Sequence, residues 1–268
     1  MYSTLIEPQS VGITRLDVSL EGLPAGLDGL TIAHLTDLHR SSLVSSDYLR
    51  RCIMRANALT PDVIVFTGDY LTHPRSRRGD IVYGHAQGGA QLMADSAECL
   101  GRARARHGVF ASLGNHDHWF DADLVSKLIE RAGVTVLRNQ STTLTIRGAP
   151  LPVVGLGDLW TEGVDFRKAF AGIAGTPSIV LMHNPDSFER WSQPGSHLIL
   201  AGHTHGGQIN LPVFGAPIVP SRYGQKYAHG LFRRDNSLMY VNRGLGVVWP
   251  GVRFNCRPEI ALFRLHSA

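Results

Sequence analysis

Apolar residues along the chain fall into short β-branched runs that stop at polar punctuation. These runs are Thr31–Thr36 (TIAHLT), Val63–Phe66 (VIVF), Val109–Leu113 (VFASL), Ser178–Met182 (SIVLM) and His197–Ala201 (HLILA). Short runs that do not alternate predict strands buried on both faces. Helical patterns lie among the early runs. Ser46–Leu59 opens on Ser-Ser-Asp and sets Tyr48, Leu49, Cys52, Ile53 and Ala56 on one face. Gln91–His107 and Asp121–Ala132 read similarly, with Gly133 placed to cap the second. Alternation of strands and helices predicts an α/β domain. From Val134 to Leu156 the pattern shortens to strands separated by Gly and Pro turns, a meander, and Leu238–Leu265 also reads as strands. No fixed-period repeat or long Pro/Gly/Ser linker divides the chain. The expectation is one domain over 1–268, two sheets in contact with helices outside. It would have a lead-in strand region over 1–28 and an exposed loop insertion over 73–89, the one stretch of low hydrophobicity.

Each of the five runs is followed by a polar motif. They are Asp37-Leu38-His39, Gly68-Asp69-Tyr70, Gly114-Asn115-His116-Asp117, His183-Asn184 and Gly202-His203-Thr204-His205-Gly206. Ligands of open α/β sheets gather beyond the carboxyl ends of strands, so five strands deliver Asp, Asn and His side chains to one edge. Residues i and i+2 of a strand share a side, so Asp37 and His39 could grip one ion. His203 and His205 could do the same, or could divide between two ions. Each motif alone is most simply a turn, a helix cap or a hydrogen-bonded core histidine. Five in order, each at a strand end, point instead to a metal site.

Composition refines this reading. The chain has 13 His in 268 residues but only 3 Cys, which excludes a disulfide framework and a Cys-rich zinc module. Carboxylate and imidazole donors without thiolate favour Mn, Fe, Zn or Co over Ca, and this many imidazoles argue against Mg alone. The net charge of +4 is mild for this length. The arginines are scattered and no aromatic platform is interleaved with them, so nucleic-acid binding is not expected. The first twenty residues lack a basic start and a continuous apolar run, so no secretory signal is expected. No run approaches the roughly 18 apolar residues of a bilayer-spanning helix. A location in the cytoplasm or peripheral to the membrane is expected.

The order D-x-H, G-D, G-N-H-D, H, G-H-x-H from Asp37 to His205 resembles the calcineurin-like metallophosphoesterases. Gly202–Pro212 (GHTHGGQINLP), Ser221–Phe232, Tyr240–Gly246 and Arg253–Ile260 resemble that family's YkuE/YaeI-type bacterial phosphodiesterase subgroup. The resemblance implies a four-layer α/β/β/α sandwich and a dinuclear metal site. It implies that Asp37, His39 and His205 hold one ion, that Asn115, His183 and His203 hold the other, and that Asp69 bridges them. It implies that His116 faces the leaving group and that Asp117 orients it. The chain departs from many relatives in carrying Arg40 after the D-x-H histidine and His118 after the G-N-H-D aspartate.

Charge bookkeeping gives the mechanism. Two divalent ions outweigh Asp37, Asp69 and a bridging hydroxide, leaving a positive centre that attracts a phosphodiester or diphosphate. The hydroxide would attack phosphorus in line, and His116 would stabilise or protonate the leaving oxygen. The expected substrate is a small phosphate ester, a phospholipid or a nucleotide-linked lipid. A phosphomonoesterase or nucleotidase is the runner-up, and a non-catalytic scaffold is a third reading that the complete ligand set disfavours. Arg40, Arg222 and Arg243 are candidate substrate contacts. Arg75, Arg77 and Arg78 could hold a second phosphate, but a solvated loop is favoured. Val247-Val248-Trp249-Pro250 could touch an acyl chain or a membrane surface, but packing is favoured. His34 is read as a core histidine, and Cys52 and Cys99 as helix core residues.

Overall fold

The computed structural model describes residues 1–72 and 88–268. Arg75, Arg77 and Arg78, and with them nearly all of the expected 73–89 loop, lie outside the described residues. Twelve strands are present among those described. They are β1 (Gly12–Leu20), β2 (Thr31–Leu35), β3 (Val63–Thr67), β4 (Val109–Ser112), β5 (Thr135–Val136), β6 (Gln140–Ile146), β7 (Ala149–Gly155), β8 (Ser178–Met182), β9 (His197–Ala201), β10 (Gly230–Arg234), β11 (Ser237–Val241) and β12 (Glu259–Ser267). The α-helices are α1 (Ser46–Asn57), α2 (Gly89–Leu100), α3 (Asn115–Arg131) and the short α4 (Phe166–Ala169).

The strands form two six-stranded mixed sheets, ordered β1-β12-β2-β3-β4-β5 and β10-β11-β9-β8-β7-β6. In the first, β2 to β5 run parallel, β12 is antiparallel to β2, and β1 is parallel to β12. In the second, β7, β8, β9 and β11 run parallel, with antiparallel β6 and β10 at the edges. Alternation assigns the faces. Val63 and Val65 join Phe263, Ile179 and Leu198 in a core between the sheets. Ile64 and Phe66 point the other way, to Cys52, Ile53, Cys99 and Ile129 of the covering helices. The outer face of the second sheet packs against Phe170, Phe188 and Trp191. The expected four layers are therefore present, the fourth made of α4 and short 3₁₀ turns.

Three boundaries depart from expectation. α2 ends at Leu100 rather than His107, with Gly101 as its C-cap. α3 begins at Asn115, but Asp121 (φ −177°, ψ 97°) interrupts it, and the Asp121 side chain accepts from the Leu124 N–H at 2.9 Å. Asp121 thus caps a second helical segment that starts where the sequence pattern placed one. The expected meander is divided: β5 pairs with β4 in the first sheet, and only β6 and β7 form a hairpin in the second. His34, Cys52 and Cys99 are buried as expected.

Candidate metal centre

The carboxyl ends of β2, β3 and β4 meet those of β8 and β9, and all five motifs converge there. Backbone hydrogen bonds extend the ladder past the strands. The Asp37 N–H donates to the Gly68 carbonyl and the His39 N–H to the Asp69 carbonyl, both at 3.0 Å. The His203 N–H spans the two sheets and donates to both Asp37 carboxylate oxygens at 3.0 Å. Close approach is required here, because a Cβ on Gly202 would overlap the Asp37 carboxylate.

Strand alternation does not bring the ligands together. β2 ends at Leu35 and β9 at Ala201, before the motifs begin. Asp37 (φ 51°), His39 (φ 45°), Asp69 (φ 57°), His203 (φ 69°) and His205 (φ 53°) all adopt left-handed backbone instead. Such a conformation costs a non-glycine residue about 1–3 kcal/mol and persists where the surroundings enforce it, characteristically at functional sites.

The side chains form buried groups around Asp69. In one, Asp37 Oδ1 lies 3.9 Å from His39 Nε2 and 3.5 Å from His205 Nε2, and the two ring nitrogens are 2.9 Å apart. In another, Asp69 Oδ2 is 3.3 Å from His183 Nε2, which is 3.1 Å from Asn115 Oδ1. The donor atoms of Asp37, His39 and His205 lie within 4.8 Å of one another, as do those of Asp69, His183 and His203, and those of His39, Asp69 and His116. His183 Nδ1 donates to the Thr67 carbonyl at 2.6 Å, which turns Nε2 toward the centre. His39 Nδ1 lies 2.8 Å from Thr72 Oγ1.

Electrostatics suit metal donors. Burial depresses His39 and His203 to about 3 and His205 well below its ordinary range, so these rings are neutral with lone pairs free. Burial also opposes charge on His183 and Asp69, but each stabilises the other: His183 rises to about 10, and Asp69 is held well below the usual carboxylate range. Burial raises Asp37 to about 7. His203 Nε2 and His205 Nδ1 are buried without a hydrogen-bond partner among the described residues. Buried unpartnered imidazole nitrogens, two carboxylates and an amide oxygen fit a divalent first-row ion.

The remaining site expectations divide. His116 stands edge-on to His39, with ring centroids 4.8 Å apart, and its N–H donates to Asp69 Oδ1 at 2.9 Å. Asp117 does not orient it. Asp117 accepts from the N–H groups of Asp69 (2.8 Å), Tyr70 (2.9 Å) and Gly114 (2.8 Å), which occupies both carboxylate oxygens. It is a helix-cap carboxylate that fastens the loop after β3 to the start of α3. Arg40 borders the centre, but its guanidinium is bound to Asp95 (2.8 Å), Ser46 (2.9 Å) and the Ser41 and Val44 carbonyls. Arg222 is exposed, and Arg243 lies 3.6 Å from Glu259; neither lines the cavity described next.

A cavity of about 890 Å³ opens over the centre. Its lining combines Asp69, Asn115, His116, His203 and His205 with the apolar Leu43, Leu92, Trp119, Trp160, Val248 and Trp249 and with polar residues such as Arg40, Gln91 and Asp95. The Trp160 ring meets His203 edge-on at 4.3 Å. Of the 247–250 loop, Val247 is buried in the core under the helices, as favoured, whereas Trp249 is 65% exposed and lines the cavity. Trp119 and Trp160 were not expected. Trp119 directly follows the G-N-H-D-H stretch, and that adjacency was the available signal.

The calcineurin-like phosphoesterase family model matches residues 30–207. The chain is 33% identical to the metallophosphoesterase YkuE of Bacillus subtilis strain 168, over 99% of this chain and 89% of that protein. It is 33% identical to the phosphodiesterase YaeI of Escherichia coli K12, over 87% and 81%. It is 29% identical to the UDP-2,3-diacylglucosamine pyrophosphatase LpxG of Chlamydia trachomatis serovar D, over 98% and 92%. The chain belongs to the calcineurin-like phosphoesterases. It is a metal-dependent phosphoester hydrolase whose family uses divalent metals. Among the described residues no helix is long and apolar enough to cross a membrane.

Proposed function

We propose that the enzyme hydrolyses the phosphodiester or diphosphate bond of an amphiphilic substrate, a phospholipid or a nucleotide-linked lipid. The observation that carries this reading is the cavity, which joins a floor of metal donors to walls of Leu43, Leu92, Trp119, Trp160 and Trp249. Apolar walls beside a few convergent polar groups suit a ligand with a charged centre and an apolar tail. The names of two relatives, a phosphodiesterase and a diacylglucosamine-nucleotide pyrophosphatase, support the same class.

Two ions of Mn, Fe or Zn would share Asp69. Asp37, His39 and His205 would hold one, and Asn115, His183 and His203 the other. When bound, such a pair polarises phosphoryl oxygens and lowers the pKa of water toward neutrality, so that it attacks phosphorus. The chain's residues supply the rest. Neutral His39, His203 and His205 offer nitrogen lone pairs without first losing a proton. His116 has its backbone N–H fixed to Asp69 Oδ1 and lines the cavity; burial lowers its pKa, so its neutral ring stabilises the departing oxygen by hydrogen bonding. The tryptophans exclude water around the tail and set the phosphorus against the floor.

Hydrolysis of a panel by the Mn-loaded protein tests the proposal. Bis-p-nitrophenyl phosphate, a phospholipid and an acylated sugar nucleotide should turn over, and p-nitrophenyl phosphate much less. Turnover of monoesters alone would replace the proposal with a phosphomonoesterase. Absence of both turnover and bound metal would point to a scaffold.

A further inference from the structure

The Arg253–Ile260 motif has no part in the centre described above. Arg253 is nevertheless the largest fully buried side chain among the described residues. Its guanidinium donates to four carbonyls: Nη1 to Cys256 (3.0 Å), and Nη2 to Arg243 (2.8 Å), Gly244 (3.1 Å) and Gly246 (2.7 Å). Its Nε is buried without a hydrogen-bond partner, and no carboxylate among the described residues stands at salt-bridge distance from it. A buried charge surrounded only by dipoles is expensive unless its donors are used, so this position needs a reason.

The reason lies in what the four carbonyls hold. The 243–246 loop presses on the first metal motif. The Leu245 N–H donates to the Thr36 carbonyl at 3.0 Å and the Gly246 N–H to the Asp37 carbonyl at 2.7 Å. A Cβ on Gly244 would stand 2.8 Å from the Asp37 Cβ. The Tyr48 hydroxyl donates to the fourth carbonyl of the loop, that of Leu245, at 3.0 Å. On its other side, the 253–256 segment bears on the last motif. The Cys256 thiol donates to the His205 carbonyl at 3.2 Å, and the Phe254 N–H to the Gln208 carbonyl at 2.9 Å. Two segments tied together by Arg253 therefore back the left-handed turns of Asp37 and His205. Asn115 and His183 make no hydrogen bond to either segment.

We infer that Arg253 is a positioning residue for the half of the centre formed by Asp37, His39 and His205, and that it sets the affinity for the ion held there. The inference rests on the two-ion reading above. Arg253→Lys keeps the charge but cannot fork to four carbonyls. Loss of a group that orients metal ligands typically weakens metal binding about 10–100-fold.

The test is a Mn(II) titration of the full-length protein, read by metal analysis and by electron paramagnetic resonance. The wild type should take up two ions and show a spin-coupled pair. Arg253→Lys should bind one ion as the wild type does and the other about 10–100-fold more weakly. At intermediate Mn(II) it should show the spectrum of an isolated ion. Tyr48→Phe should move the same ion by a few-fold, the effect of one buried hydrogen bond, and it decides the question if Arg253→Lys does not fold. Two ions at unchanged affinity in the folded variants, with or without a lower melting temperature of the metal-free form, would overturn the inference. A wild type that binds fewer than two ions would instead overturn the two-ion reading.

Discussion

Individual residues carry the chemistry through unusual backbone. Five of the seven candidate ligands sit at positive φ, where glycine is the ordinary occupant. The identity of these residues was legible in sequence, because each motif follows an apolar run at a strand end. Their conformation was not, because i, i+2 spacing suggests a continuing strand and only the packed loops force the turn. Asp117 shows a second limit. Next to a histidine it suggests a charge partner, yet its position three residues after Gly114 makes it a helix cap. The two aspartate and histidine neighbours should therefore separate by experiment. His116→Ala should keep its metal content and lose about 10²–10⁴-fold in kcat. Asp117→Asn should chiefly lose stability, about 1–3 kcal/mol, because an amide presents a donor where only acceptors fit. Loss of metal in His116→Ala, or an unchanged melting temperature in Asp117→Asn, would refute the respective assignment.

At the scale of elements, strands buried on both faces were the most legible. β8 and β9 begin and end where their apolar runs do. Helix ends were harder. The arginine-rich stretch after Gly101 keeps a helix-like composition, but the glycine stops α2. β2 contains one buried polar residue, His34, with its Nε2 2.8 Å from Thr67 Oγ1. Burial lowers its pKa from 6.5 to about 3. The folded protein thus binds fewer protons here than the unfolded chain between those values, so stability falls with pH below about 6.5 until about 3. Thermal unfolding of the metal-free protein should show the wild type losing its advantage over His34→Gln as pH drops from 7 toward 4. A constant difference across that range would mean that His34 is not held neutral.

For the whole molecule, the centre is the junction of two sheets. The Asp37 and Asp69 motifs come from the first, the His183 and His203 motifs from the second, so metal binding couples both. Chelation should therefore lower the global melting temperature in a single transition. Two such sites, each saturated about 100-fold above Kd, would contribute about 5 kcal/mol, so EDTA should lower the melting temperature by about 10–20 °C, restored by Mn(II). No change, or loss of a partial transition only, would separate the sheets energetically. Strand–helix alternation predicted the α/β class, and the family resemblance implied the four-layer sandwich. The thin outer layer over the second sheet was not, because α4 and its 3₁₀ neighbours are too short to leave a periodic signal.

The place of β12 bears on the order in which the structure can be assembled. It lies between β1 and β2, so residues 12–20 have no seat in the first sheet until residues 259–267 exist. During synthesis the opening strand must wait for the closing one. Until then the edge of β2 stays open to any passing strand. The Asp37 turn that leads out of β2 gains its hydrogen bonds from Leu245 and Gly246 only once those residues have been made. The turn that carries the first candidate ligand is thus closed by residues made long after it, so its geometry depends on contacts remote in sequence.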